Sequence, residues 1–376
     1  MRTLSRKQII TIILTIIVVG FGLFLIINNQ EKIVTPKTPV LDKETVELDH
    51  TVIGTSIEGR DIEAYTYQSA SERSHLIFVG GIHGGYEWNT VILAYSLIDY
   101  LNEKPEDIPN GVTVTIIPSA NPDGVYEIIG KEGRFEVANV PQGIDTSPGR
   151  FNARQVDLNR NFNCKWSPEG NWRGNSVSTG SGPFSEPESV AIRDFVIKNN
   201  PDAVVFWHSQ ANTVYASECE NGIIPETLDI MNLYATAANY NSVEKFDAYE
   251  VNGDAEGWLA SIGVPAITVE LETHETVEWE RNLSGVKAIF EYFNQKVTIE
   301  REAVIENYIR NNISELSSES EVLGGTFYVT NIQFNQDNSG LVEYEDGHIA
   351  LVADFTYSFN DGEPQVKLSN VRDLSF

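Results

Sequence analysis

Leu76-Ile77-Phe78-Val79-Gly80-Gly81-Ile82-His83-Gly84-Gly85-Tyr86-Glu87-Trp88 is the stretch from which the rest of this chain can be read. Four apolar residues form a strand, Gly80-Gly81 lets the backbone turn sharply, and His83 and Glu87 then emerge at one strand-to-helix corner. Imidazole and carboxylate are both ligands that Zn²⁺ accepts, so the corner reads as half of a metal site. Beyond it Val91, Ala94, Tyr95, Ile98 and Leu101 recur at the spacing of one helix face, which suits packing onto a sheet. A His and a Glu four apart also occur at ordinary solvated helix starts, so the metal reading needs ligands from elsewhere in the chain.

Outward from this corner, apolar strand-like runs at 61–67, 76–80, 112–117, 203–207 and 266–271 alternate with amphipathic helices at 88–102, 186–199, 225–239 and 277–294. That alternation predicts an α/β domain over 48–297, a sheet with helices on its faces, large enough to bury a substantial core. The pattern changes near Thr298. Ile305, Ile309, Ile313 and Leu316 form a helical stripe, and strand-like runs follow at 327–334, 341–344, 349–359 and 366–371, with turn chemistry at Asp346-Gly347 and Asp361-Gly362. A small α+β domain of one helix and an antiparallel sheet is expected over 298–376. It carries a single His and no metal-ligand cluster, so a structural or partner-binding role is expected for it, and its partner is not legible.

At the other end, Arg2, Arg6 and Lys7 lie in a short segment (1–8) before an uncharged apolar run at 9–27. Such a run makes about 28 Å of helix, close to the hydrocarbon thickness of a bilayer. No small-x-small cleavage pattern follows, which favours an uncleaved membrane anchor over a signal peptide. With the basic residues ahead of the span, 1–8 is cytoplasmic and the remainder faces outward. Residues 28–47, with Pro36 and Pro39, read as a linker. Lys plus Arg number 26 against 54 Asp plus Glu, a formal charge of −28, which makes nucleic acid a poor partner. Two cysteines, Cys164 and Cys219, are too few for a Cys-based zinc site; they form one disulfide only if the fold brings their Cα atoms within about 7 Å.

The remaining chemistry falls in the larger domain. Asn121-Pro122-Asp123-Gly124 ends a strand, and Arg150-Phe151-Asn152-Ala153-Arg154-Gln155-Val156-Asp157-Leu158-Asn159-Arg160-Asn161-Phe162 concentrates arginines and asparagines in an acidic protein. Guanidinium binds a carboxylate bidentately and Asn adds a neutral donor, so this run reads as a carboxylate pocket, with ordinary surface ion pairs as the alternative. His208 stands at the end of the apolar run Val204-Val205-Phe206-Trp207, where a lone His is ordinarily a hydrogen-bonded core residue. Glu270 lies inside Ala266-Ile267-Thr268-Val269-Glu270-Leu271, where desolvation raises a carboxyl pKa in the direction a general base requires. Glu272 shares its strand face by period two and competes for that role.

In order and character these motifs resemble the zinc metallocarboxypeptidase family, the carboxypeptidase A-like enzymes, in a membrane-anchored bacterial form; the resemblance spans 48–295. It implies a mixed central sheet with helices on both faces. It implies one zinc held by His83, Glu87 and His208, although three residues separate His83 from Glu87 where the family usually has two, so the local loop must differ. Glu270 resembles the general base that takes a proton from zinc-activated water. Arg150, with Arg154 as the alternative, resembles the oxyanion-stabilising Arg. Asn159 and Arg160 resemble the grip on the substrate's terminal carboxylate, Asp157 the acid that orients the first ligand His, and Tyr249 the mobile capping Tyr. Glu256, matched through Tyr249 and Trp258, falls near the floor of the side-chain pocket, where it could pair with a substrate amine or simply cap a helix. His50, His75, His274 and His348 have no such context.

The resulting expectation is a zinc carboxypeptidase acting on extracytoplasmic peptides or cell-wall peptides. Two alternatives stand beside it. One is a zinc amidohydrolase of the succinylglutamate desuccinylase and aspartoacylase type, acting on N-acyl amino acids; the other is a surface binding module that kept the fold without turnover.

Overall fold

The computed structural model describes residues 46–335, 337–360 and 362–374. The expected membrane segment at 9–27 lies outside them, and among the described residues no helix is long and apolar enough to cross a membrane. In chain order the strands of the large sheet are β1 (Val46–Thr55), β2 (Asp61–Ser69), β3 (Ser74–Val79), β4 (Val112–Ile117), β5 (Ala203–Ser209), β6 (Thr213–Ala216), β7 (Asn241–Val243) and β8 (Ala266–Leu271). Their spatial order is β1-β2-β4-β3-β5-β8-β6-β7. The four central strands β4, β3, β5 and β8 are mutually parallel, whereas β2 meets β4 and β6 meets β8 antiparallel. The sheet is therefore mixed, as expected.

Strand alternation builds two cores. On β3, Leu76 and Phe78 face one layer with α1 (Trp88–Glu103), while Ile77 and Val79 face the other. Two further helices follow in sequence, α2 (Pro122–Ile129) and α3 (Pro187–Asn199), and then α4 (Pro225–Ala238), α5 (Ala255–Ser261) and α6 (Trp279–Leu316). Helices α1, α4 and the first part of α6 cover the first face; α3 and α5 cover the second. One buried polar chain within this packing is fully paired: Trp207 Nε1 donates to Tyr234 Oη, which donates to Asn282 Oδ1, so these groups are buried without an unmet hydrogen bond.

Helix α6 is 38 residues long and runs without interruption across the expected boundary at 297/298. Past that point Ile305, Ile309 and Ile313 pack with Val342, Tyr344 and Phe355 of an antiparallel sheet formed by β9 (Tyr328–Phe334), β10 (Ser339–Glu345), β11 (Ala350–Asn360) and β12 (Glu363–Asp373). At the β10–β11 turn Asp346 Oδ1 accepts from the N–H groups of His348 and Ile349, and Gly347 takes φ 85°, a conformation glycine adopts at little cost. The strands thus fall close to the predicted runs.

Candidate active site

The parallel strands deliver the candidate residues to one end of the sheet. His83 follows β3, His208 is the penultimate residue of β5, and Glu270 is its direct neighbour in the β8 register. The extra residue between His83 and Glu87 is taken up by a 3-10 turn over Gly84–Glu87 ahead of α1. Gly84 sits there at φ +47°, and a Cβ on it would lie 2.5 Å from the Gly149 carbonyl oxygen, so only glycine fits.

His83 Nδ1 lies 2.8 Å from Glu87 Oε1 and 3.3 Å from His208 Nδ1, and His208 Nδ1 lies 3.2 Å from Glu87 Oε2. All three residues are buried. Tetrahedral zinc with ligand bonds near 2.0–2.1 Å sets its donor atoms about 3.3 Å apart. Glu87 Oε2 is buried with only the His208 nitrogen near it and makes no hydrogen bond of good geometry, as suits an oxygen that shares a cation with that nitrogen. The donor set fits zinc and could hold it through His83, Glu87 and His208.

The far nitrogens of both imidazoles face carboxylates. His83 Nε2 is 3.6 Å from Asp157 Oδ1, and His208 Nε2 is 2.9 Å from Glu256 Oε1. Such partners fix the ring tautomer and orientation. Asp157 is fully buried; burial alone would raise its pKa, but the Arg150 guanidinium holds it well below the usual carboxylate range, with Nε and Nη2 of Arg150 at 2.9 and 2.8 Å from Asp157 Oδ2. Arg154, the alternative to Arg150, instead lies at the surface beside Glu186.

A cavity of about 320 Å³ opens beside these ligands and is lined by Arg150, Asn159, Arg160, Tyr249, Glu256 and Glu270, among others. Burial, reinforced by Glu87, pushes the Glu270 carboxyl up to about 7, and its Oε2 has no partner. Glu272, by contrast, lies past the end of β8, is largely exposed and pairs with Arg281 at 3.0 Å, so it does not share the site. Asn159 Oδ1 accepts from the Ala255 N–H, and Arg160 donates to the carbonyls of Asn159 and Asn171 while its Nε remains buried and unpartnered. Tyr249 packs edge-on against Phe246.

Glu256, expected near the pocket floor, lines this cavity and also has protein partners that the sequence reading did not name. It sits in the first turn of α5, whose cap is Asp254, and besides His208 it accepts from Thr268 Oγ1 and Asn159 Nδ2. Sequence reasoning also missed Asp254, which lines the same cavity and whose carboxyl is raised to about 6 by burial and by Glu256. The visible signal was the cap pattern Asp254-Ala-Glu-Gly257 before Trp258. Cys164 and Cys219 form a disulfide with a Cα separation of 6.0 Å, and Cys164 contributes to the cavity wall.

Comparison with known proteins converges on the same centre. The zinc carboxypeptidase family model matches residues 43–303, which include every ligand, base and clamp candidate above. The chain belongs to the zinc carboxypeptidase family. Among relatives, gamma-D-glutamyl-L-diamino acid endopeptidase 1 of Lysinibacillus sphaericus is 26% identical over 246 residues, 60% of this chain and 60% of that protein. Human carboxypeptidase O is 27% identical over 43% of this chain and 46% of its own. The chain thus matches roughly half to three-fifths of the length of these two relatives. Bovine thrombin-activatable fibrinolysis inhibitor, solved with tick carboxypeptidase inhibitor, superposes with a TM-score of 0.54 at 19% identity, over 66% of this chain and 91% of that one; the likeness establishes the family's fold here.

Proposed function

We propose that this chain is a zinc-dependent carboxypeptidase that hydrolyses the C-terminal peptide bond of peptides outside the cytoplasm. The observation that carries the proposal is the convergence of His83, Glu87 and His208 beside Glu270, in a cavity that also contains Asn159 and Arg160. Zinc held by the first three would acidify a water and polarise the scissile carbonyl. Glu270, with its raised pKa, is suited to take that water's proton and pass it to the leaving amine. Arg150, held by Asp157, offers its remaining N–H groups to negative charge developing on the carbonyl oxygen. Asn159 and Arg160 bind the free carboxylate of the departing residue, and Tyr249 covers it.

For the departing side chain, two carboxylates in the cavity, Asp254 and Glu256, favour an amine. A substrate ammonium relieves the repulsion that contributes to the raised Asp254 pKa and gains charge-assisted hydrogen bonds. C-terminal Lys or Arg, or a diamino residue of a cell-wall peptide, meets this requirement. The Lysinibacillus relative, named for action at a γ-D-glutamyl-L-diamino acid bond, supports the diamino branch. An outward location through an anchor at 9–27 is consistent with the disulfide, since such bonds persist in oxidising compartments. The rival amidohydrolase reading predicts cleavage of N-acyl amino acids instead.

Mass-spectrometric product analysis separates these readings. Zinc-loaded protein is incubated with a peptide library, with γ-D-glutamyl-diamino acid peptides and with N-acyl amino acids. Release of single C-terminal residues, or of a diamino residue from the γ-D-glutamyl peptides, is expected; turnover of N-acyl amino acids alone would replace the peptidase reading.

A further inference from the structure

His274 is left unexplained by the roles assigned so far. Its Nδ1 lies 2.7 Å from Ser209 Oγ, and Ser209 Oγ lies 3.0 Å from Asn89 Oδ1. Asn89 is fully buried, and its Nδ2 donates to the carbonyls of Thr273 and Thr276 at 2.7 and 2.9 Å. Those two carbonyls fix the amide, so Oδ1 is the end that meets Ser209, and the Ser209 hydroxyl must donate its one proton to it. Ser209 can then only accept from His274. Nδ1 of His274 therefore carries the proton, and Nε2 is a bare acceptor. Burial, which lowers the His274 pKa, keeps the ring neutral. Yet Nε2 is itself buried and has no partner, an arrangement that costs free energy until a donor arrives.

The ring belongs to the catalytic centre but not to the cavity of the departing residue. It is tilted against Tyr86 at 4.6 Å; Tyr86 in turn meets Trp172, over which the Arg150 guanidinium lies at 4.8 Å. The cavity that holds Asn159, Arg160 and Tyr249 is not lined by His274, Tyr86 or Trp172. A peptide whose C-terminal residue occupied that cavity would extend on its acyl side beyond the cavity, toward residues that do not line it.

We propose that His274 Nε2 accepts a hydrogen bond from the backbone N–H of the residue that precedes the scissile bond, with its tautomer set by the Ser209–Asn89 relay. This makes His274 a substrate-binding residue for the acyl side, and it rests on the peptidase reading above.

The test uses two matched substrates, one with that N–H and one in which CH₂ replaces it. Both are measured for kcat/KM with the zinc-loaded protein and for binding to its Glu270→Gln variant by calorimetry. The parent is expected to prefer the N–H substrate about tenfold, the size of one buried hydrogen bond. His274→Phe should reduce that preference to within about twofold, while His274→Gln, which can still offer an oxygen, retains part of it. Melting temperature and zinc content of each variant check that the fold and metal site persist. A parent that does not discriminate, or a His274→Phe variant that still does, overturns the proposal. Discriminating binding without hydrolysis by the parent would sink the peptidase reading and leave His274 standing.

Discussion

Glu256 Oε1 lies 2.9 Å from His208 Nε2, on the opposite edge of the ring from the Nδ1 that meets His83 and Glu87. One carboxylate thus serves a candidate metal ligand and the wall of the adjoining cavity at once. Glu256→Gln should weaken zinc about 10- to 100-fold in a chelator competition, the usual cost of losing such a partner. It should also lower the ratio of kcat/KM for peptides ending in Lys over those ending in Phe. A lost Lys preference with unchanged zinc affinity would assign Glu256 to the substrate alone, and a parent preference for Phe would remove the amine-pairing role.

Purified protein should carry one zinc per chain, and His208→Ala should lose most of it, as read by elemental analysis. Because a ligand bound at a thousand times its Kd stabilises by about 4 kcal/mol, a chelator should lower the Tm of the parent and barely move that of His208→Ala. Full zinc occupancy in the variant would refute the ligand assignment.

Glu270→Gln should retain zinc and lower kcat by at least about 10²-fold, whereas Glu272→Gln, which alters only an exposed pair with Arg281, should stay within about twofold of the parent. The same group links stability to pH. Its folded-state pKa of about 7 exceeds its ordinary 4.5, so the metal-free folded chain holds this proton more tightly than the unfolded chain. The linked stability is full below pH ~4.5 and is lost as pH rises through ~7. Metal-free Glu270→Gln should therefore be more stable than the parent at pH 8, by up to about 3 kcal/mol, with the gain vanishing at pH 4. Urea melts at the two pH values measure it, and an equal gain at both would show that the proton is not involved.

These predictions draw unequally on sequence and structure. His208 and Glu270 were legible because each lies in an apolar run whose composition names it a strand, and His83 and Glu87 because they follow such a run at a glycine-rich corner; parallel strands bring such ends together. What escaped were relationships across long separations. Nothing near Glu256 in sequence points to His208, 48 positions earlier; only the docking of α5 beside β8 joins them. The Ser209–His274 contact is of the same kind, and a pairing of Cys164 with Cys219 was open until the Cα distance was known. The edge strands β1 and β7 escaped for another reason: they are mostly exposed, so no burial period marks them. The boundary at 297/298 was drawn where the apolar stripe changes partners, but no Pro or Gly interrupts α6 there, and the helix simply continues.

The Cys164–Cys219 bridge closes a segment of 55 residues that includes β5 and His208. Replacing both cysteines with alanine should cost about 2 to 4 kcal/mol in urea denaturation, mainly by freeing the unfolded chain. A cost below about 0.5 kcal/mol would mean that the bridge does not constrain the unfolded state.

An uninterrupted α6 also gives the molecule an angular phase. Each residue of an α-helix advances about 1.5 Å and turns about 100°, so the seat of the C-terminal sheet on Ile305, Ile309 and Ile313 is indexed to the catalytic layer by residue count. The cation–π contacts of Arg73 and Arg301 with Phe359 register that index. One alanine inserted after Thr298 would swing Phe359 away from Arg73 by about a quarter turn, whereas four would nearly restore the bearing while lengthening the reach by about 6 Å. A flexible linker would tolerate both insertions alike.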